Sequence, residues 1–573
     1  MTCSSLRWLW VSTLGLTLMA GWSLPASAQT MTRSEIKRQY RKGRLLMRRD
    51  RYERASQLFF DIVENGAESP RYQRKARLKL ARTLFKQKLH LVAISNVVTI
   101  MLNTPANRPS GIFRSALRGL VQIAETIGDE SLIITQLRRV PRFSRRIKLP
   151  PDQDPVRFLL RPRPKDRRKS YWSQFRNSFA YFMGRSFFSY GPRYFKRAHR
   201  FLKLVKPNAK NNYYAKSIYL RAVMAAWVGK LIRSNKRFRK ILALSKNKKD
   251  AVLSRIKMEA QYGVSRNFYA QARIAQLRNQ GNPKKFTKKN YMNLYKRALV
   301  EYNRIPKKRK VFQDKVLFET AYTYFMMDQY HFALGQLIAL NSPYYKTGFF
   351  PELDILRALI YFKTCKYEST KETVTKFLNQ YMPLNKRLKQ LLAYRKTRKW
   401  RAQYYDYYRK QLKLLKAKKK TEIPASVISV LQRSKSLRNY EALMKKIEKE
   451  RSLIRGKSSS WRESNIGKQM LARVVRLLSS LRAQAGSGLY RSLREVSREV
   501  GKQLNQARFI QLETLQNQKK ELERFAEGGG IEQDEIRYTI VTEQNYIYWP
   551  FQGEYWRDEI GHYRQFIQGE CKR

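Results

Sequence analysis

Apolar residues recur at intervals of three and four along most of this chain, which predicts amphipathic helices; strand-like alternation is scarce until the C-terminal segment. The helices come in pairs. Three copies are plain: YRKGRLLMRRDRYERASQLFFDIVEN at 40–65, DKVLFETAYTYFMMDQYHFALGQLIALNSP at 314–343 and LDILRALIYFKTCKYESTKETVTKFLNQYMP at 353–383. Each carries a small residue on its first helix (Gly43, Ala321, Ala358) and, nine residues later, an aromatic that opens the second (Tyr52, Tyr330, Tyr367). A second small residue stands three further on, at Ala55, Ala333 and Thr370. Apolar side chains follow at Phe59 and Ile62, Leu337 and Leu340, Val374 and Phe377. The spacing has a packing reason: small residues let two antiparallel helices approach closely, and the aromatic fills the space beside the turn. Weaker copies place the second small residue at Ala93, Ala198, Ser234 and Ala298, with intervals of 38, 36, 35 and 37 residues over 55–93, 198–234, 298–333 and 333–370.

This unit resembles the tetratricopeptide repeat, ~34 residues long with the same small–aromatic–small arrangement. The resemblance covers much of 31–385 and departs in two ways: tryptophan is missing from the first helix, and the proline after the second is only sometimes present. The expected fold is all-α: a helical-hairpin solenoid of this kind, a long helical C-terminal region, and a small aromatic terminal segment with some strand.

Composition divides the chain further. RRVPRFSRRIKLPPDQDPVRFLLRPRPKDRRK (138–169) holds six prolines, too closely placed for helix, and reads as a basic linker. It separates N-terminal repeats at 29–137 from a main array at 170–385. A basic long-helix region follows at 386–527, where Leu489, Leu493, Val496, Val500, Leu504, Ala507 and Ile510 recur at helical or coiled-coil spacing. Gly528, Gly529 and Gly530 form a hinge, and 528–573 closes the chain.

Charge and the first residues change the picture of where such a protein works. The chain has 120 Lys+Arg against 42 Asp+Glu, formally +78, a field that draws polyanions. Residues 1–28 have a single charge, Arg7, then an apolar run, then Ala26-Ser27-Ala28 before Gln29. That order predicts a secretory signal peptide cleaved between Ala28 and Gln29, hence an exported, periplasmic protein, with the outer membrane or cell wall as sites of association. Export turns the expected partners from nucleic acid towards other envelope proteins, an anionic wall polymer or a lipid surface. Cys365 and Cys571 would then be the remaining cysteines; they pair in an oxidising compartment, or stay a helix-turn residue and a frayed-end thiol.

Catalytic chemistry is not expected, and neither is a cofactor or metal. The four histidines, His90, His199, His331 and His562, are far apart, and no phosphate-binding loop, zinc motif or nucleophile elbow occurs. RESNIGKQM (462–470) is similar to the Glu-Ser start of lytic transglycosylase domains, with Glu463 in the general-acid place, but the downstream segments of those domains are missing. LAYRKTRKWRAQYYDYYRKQLKLLKAKKK (392–420) interleaves tyrosines and Trp400 with twelve Lys or Arg. Arg395, Lys396, Arg398, Lys399 and Arg401 are candidates to hold an anionic surface; a packed aromatic face with a solvated basic back is the other reading.

The terminal segment carries the last candidates. Its strand-like stretches are Tyr538–Val541 and Tyr546–Trp549, and 531–573 has eight acids against five bases. Trp549, Phe551, Tyr555 and Trp556 either seal an end of the array, as solenoids require, or dock a partner. The run Trp549, Pro550, Phe551, Gly553, Glu554, Tyr555, Trp556, Asp558, Glu559, Ile560, Gly561 and Tyr563, behind a leader, repeats and a long helix, resembles exported repeat proteins of the myxobacterial adventurous gliding machinery. That resemblance implies a periplasmic or outer-membrane-associated scaffold. The strong basicity departs from it.

Overall fold

The computed structural model describes residues 30–103, 111–128, 130–140, 170–244, 250–282, 287–306, 310–345, 349–393, 400–527 and 551–571. Among them are 21 α-helices and no strand. The described residues fall into two compact units, one within Met1–Lys257 and Glu441–Leu481, the other within Met258–Tyr440 and Arg482–Arg573. The division follows packing and so cuts across blocks defined by repeats and composition.

The first unit opens with α1 (Arg33–Arg48), α2 (Tyr52–Asn65), α3 (Pro70–Lys86) and α4 (His90–Leu102). After α5 (Gly111–Ile127) and α6 (Glu130–Arg139) come α7 (Ser170–Phe188), α8 (Phe195–Lys203), α9 (Tyr213–Trp227) and α10 (Leu231–Leu242). Local chemistry starts the series. Thr32 and Glu35 form a reciprocal cap on α1, the Thr32 N–H donating to Glu35 Oε2 at 3.0 Å and the Glu35 N–H to Thr32 Oγ1 at 3.4 Å. Pro70 sits at the start of α3, where its missing N–H costs nothing. α11 (Ala251–Gly281) begins in this unit and ends in the second.

The second unit holds α12 (Lys288–Asn303), α13 (Lys310–Phe325), α14 (Tyr330–Asn341), α15 (Glu352–Lys363), α16 (Tyr367–Ala393), α17 (Trp400–Lys416) and α18 (Ala425–Arg433). The chain continues through α19 (Lys435–Arg455), α20 (Ser459–Arg462) and α21 (Asn465–Ala526), a helix of 62 residues.

Five hairpins share one turn: α1–α2, α3–α4, α9–α10, α13–α14 and α15–α16. In each, the residue two before the second helix has positive φ: Asp50, Lys88, Gly229, Asp328 and Cys365. The next N–H reaches back five residues to a carbonyl of the first helix, Arg51 to Leu46, Leu89 to Leu84, Lys230 to Ala225, Gln329 to Tyr324 and Lys366 to Tyr361, at 2.9–3.0 Å. A left-handed residue with this long back-bond satisfies the orphan carbonyls of the helix end.

Counting from these turns puts ten small residues in register. Seven residues before the turn stand Gly43, Ala81, Ala222, Ala321 and Ala358; five after it stand Ala55, Ala93, Ser234, Ala333 and Thr370, and all ten are buried. The helices touch there. A Cβ built on Gly43 would lie 2.9 Å from the Phe59 ring, and the Ser234 hydroxyl donates to the Ala222 carbonyl at 2.9 Å across its crossing. Four and seven residues beyond the second small residue, Phe59 and Ile62, Val97 and Ile100, Phe238 and Ile241, Leu337 and Leu340, Val374 and Phe377 are buried. Ala198 and Ala298 are buried on α8 and α12 but do not follow this turn.

Three sequence expectations need correction or limits. The terminal segment is expected to hold strand; Tyr538–Val541 and Tyr546–Trp549 lie outside the described residues, and 551–571 forms bends and a turn without strand, its Gln565 and Glu570 N–H groups bonding singly to the His331 and Thr364 carbonyls. The boundary of the main array at 385 falls inside a helix, since α16 runs on through Pro383 to Ala393. The linker begins in helix, as α6 reaches Arg139, and 141–169 lies outside the described residues, as do the signal peptide with Ala28 and Gln29 and the hinge 528–530.

Candidate functional site

Residues 551–571 lie on the α13–α16 pair of hairpins like a bound peptide. Their anchor is apolar: Ile560 and Ile567 are buried in the cluster of Leu317, Leu334, Leu337, Leu353 and Leu356. Polar bonds then fix the path. Gln336 Nε2 donates to the Gly561 carbonyl at 2.8 Å, the Gln565 N–H to the His331 carbonyl at 3.2 Å, and the Glu570 N–H to the Thr364 carbonyl at 2.9 Å. The Arg564 guanidinium stands 4.1 Å over the Phe332 ring, and Lys366 pairs with Glu570. Cys571 is bonded to Cys365, the left-handed turn residue of the α15–α16 hairpin, with Cα atoms 4.9 Å apart. The closest approach is at Gly335 on α14, where a Cβ would fall 1.8 Å from the Tyr563 carbonyl oxygen.

The aromatic candidates do not provide that anchor. Phe551, Tyr555 and Tyr563 make a small edge-to-face cluster with ring centres 5.1–6.1 Å apart, and the Trp556 N–H donates to the Tyr563 hydroxyl at 2.9 Å. Trp556 is 64% and Phe551 45% exposed, whereas Tyr563 is half-buried against the apolar cluster, so the tail seals with Ile560, Ile567 and Tyr563 and presents Trp556 and Phe551 outward. Trp549 lies outside the described residues. Pattern reading missed Ile560 and Ile567 as anchors because two isolated isoleucines carry no periodic signal.

The basic aromatic stretch is packed on one side. On α17, Tyr404, Tyr405 and Tyr408 are buried, Trp400 and Tyr404 stack edge-on with Tyr490, and Arg401 lies half-buried with its guanidinium 5.4 Å over Trp400. The opposite side, with Lys410, Lys413 and Lys416, is exposed. Arg395, Lys396, Arg398 and Lys399 lie outside the described residues.

The residues just ahead of the transglycosylase-like string anchor it in the first unit. Trp461 is fully buried and donates Nε1–H to Ser56 Oγ on α2 at 2.9 Å, while the Ser458 hydroxyl donates to Glu53 at 2.7 Å. Glu463 beside it is exposed at the end of α20. From α19, Glu450 is buried and accepts the Leu91 N–H at the start of α4, 2.8 Å away; burial pushes its carboxyl up to about 7.

The histidines stay apart. His90 and His331 sit at the starts of second helices, beside Phe85 and Phe332, and burial lowers the pKa of both; the Arg564 charge adds to the effect at His331. His199 is held down at about 4, by burial first and then by Arg221, Arg237, Lys203 and Arg233. Among the described residues no group of three or more His, Cys, Asp or Glu could hold a metal ion, and no helix is long and apolar enough to cross a membrane.

No protein-family model matches the chain, and no curated protein matches it. Among solved structures, the chain has a match to a "circular tandem repeat protein with novel repeat topology and enhanced subunit contact surfaces", at 11% identity over 87% of this chain and 91% of that one. The TM-score is 0.10, so the helical repeat arrangement rests on the hairpins described above.

Proposed function

We propose that this protein is a non-catalytic scaffold of the cell envelope that binds other envelope proteins on a tetratricopeptide-like array. One observation carries the reading: the second unit already holds an extended peptide, its own residues 551–571, and that peptide turns Trp556 and Phe551 outward. Surfaces built from stacked hairpins commonly receive extended or helical segments, and exposed tryptophan is the side chain most often found at the centre of interfaces. The leader-like start and the Cys365–Cys571 bridge support an oxidising compartment outside the cytoplasm. The resemblance of the terminal segment to gliding-machinery repeat proteins supports a place in a motility or other envelope-spanning complex.

Two measurements test the reading. Peptide mapping should find a mature N-terminus at Gln29 in the envelope fraction; an intact Met1 in cytosol would refute the export. Co-purification from cross-linked envelopes should recover protein partners that Trp556→Ala loses while the variant stays folded.

A second reading, an anionic wall-polymer binder, is favoured by the exposed lysines of α17 and the net charge of +78. Binding to purified wall should then fall steeply with salt, because screening shortens to ~8 Å at physiological strength. Salt-independent binding, or none, removes it.

A further inference from the structure

Between Asp166 and Asp250 the sequence contains no aspartate or glutamate. The described part of this stretch folds into α7–α10 of the first unit, so its cations must find their partners elsewhere. Some do. Lys216 reaches Glu130 Oε1 on α6 at 2.7 Å, and Arg185 pairs with the same carboxylate. Asp250 is taken up by Asn212 at 2.7 Å and by the N–H groups of Val252 and Leu253 at the start of α11.

One group gathers cations. His199 on α8 feels the charges of Lys203 on the same helix, Arg221 on α9, and Arg233 and Arg237 on α10, and Arg237 feels those of Arg221 and Arg233. Arg237 crosses to α9 and donates Nη1–H to the Arg221 carbonyl at 2.6 Å. This holds the Arg237 guanidinium beside the close Ala222–Ser234 crossing. Arg221 Nε is buried and makes no hydrogen bond among the described residues. Among the described residues no carboxylate charge acts on His199, Arg221 or Arg237. Half-buried guanidinium donors without an acceptor cost free energy that a bound acceptor would recover.

We propose that His199, Lys203, Arg221, Arg233 and Arg237 form a binding site for a phosphoryl-type oxyanion. The chemistry is selective. Guanidinium forks match the paired oxygens of a phosphate, and several neighbouring cations favour a multiply charged ligand over a single carboxylate. The anion accepts from Arg221 Nε and the Arg237 fork, while Lys203 and Arg233, which are exposed, supply charge at the rim. Free phosphates and phospholipid headgroups both offer this group. The site is separate from α17 and independent of the scaffold reading.

The test uses the full-length protein at physiological salt, with pyrophosphate in calorimetry and phosphatidylglycerol vesicles in flotation. Binding is expected with one or both probes. Arg221→Gln/Arg237→Gln should weaken it at least tenfold, while Lys445→Gln/Lys449→Gln, exposed on α19 of the same unit, should change it less than twofold. Lys203→Glu guards against misfolding: it alters an exposed rim position and supplies an internal carboxylate, so it should abolish binding and raise the melting midpoint of the ligand-free protein. Pyrophosphate binding alone assigns a soluble phosphate, and vesicle binding alone a headgroup. Binding of neither probe, or an equal loss in the α19 control, overturns the site.

Discussion

At the scale of the residue, the turn position explains more than the aromatic that the pattern singles out. Asp50, Lys88, Asp328 and Cys365 hold a conformation that glycine adopts freely, and only Gly229 is a glycine. Two of them repay part of this cost by accepting the Tyr hydroxyl two residues on, Asp50 from Tyr52 and Asp328 from Tyr330. Lys88 is exposed and followed by His90 instead, so Lys88→Gly should stabilise the protein by up to about 1 kcal/mol in denaturant unfolding, and Lys88→Val should destabilise it. The turn was not legible in the sequence because aspartate, lysine and cysteine carry no common signal. For the same reason Ala81 and Ala222 escaped notice: their hairpins open the second helix with His90 and Leu231 rather than tyrosine. A titrating residue gives a second check. Burial, with help from the nearby Glu499 charge, pushes Glu352 up to about 7 from an ordinary 4.5. The folded state holds that proton more tightly, so the contribution is complete below about 4.5 and is lost as pH rises through about 7. Stability measured across that window should fall, and Glu352→Gln should flatten this part of the fall.

Hairpins and the tail define the scale of the element. The small–aromatic–small pattern located the α1–α2, α13–α14 and α15–α16 pairs because apolar spacing reports a buried helix face directly. Ala333 is fully buried at such a crossing, so Ala333→Trp should cost ~1–3 kcal/mol or more, seen as a lower unfolding midpoint; an unchanged midpoint would refute the register. What the tail touches could not be read, because Cys365 and Cys571 are 206 residues apart and local sequence is silent on such contacts. Gly335→Ala tests it. The new methyl must displace the Tyr563 carbonyl, so 551–571 should become open to protease under non-reducing conditions even though alanine favours α14. Trp556→Ala, by contrast, should leave the melting midpoint nearly unchanged, since that side chain is 64% exposed.

At the scale of the whole molecule, +78 of formal charge is compatible with folding because no lysine or arginine among the described residues is buried. Each unit is also closed by chain from far along the sequence: Trp461 and Glu450 on the first repeats, Ile560 and Ile567 on the second set. Helical class and repeat character were legible from spacing alone; these long-range closures were not, since they rest on single side chains. Ile560 and Ile567 hold the tail on its hairpins and leave Trp556 and Phe551 exposed, so the proposed scaffold reading assigns docking to those aromatics. Docking at Trp556 is open to capture in the cell. A photo-crosslinking amino acid in place of Trp556, activated in living cells, should capture a protein of the envelope other than this chain. Adducts confined to this chain's own residues, or none, would contradict the account.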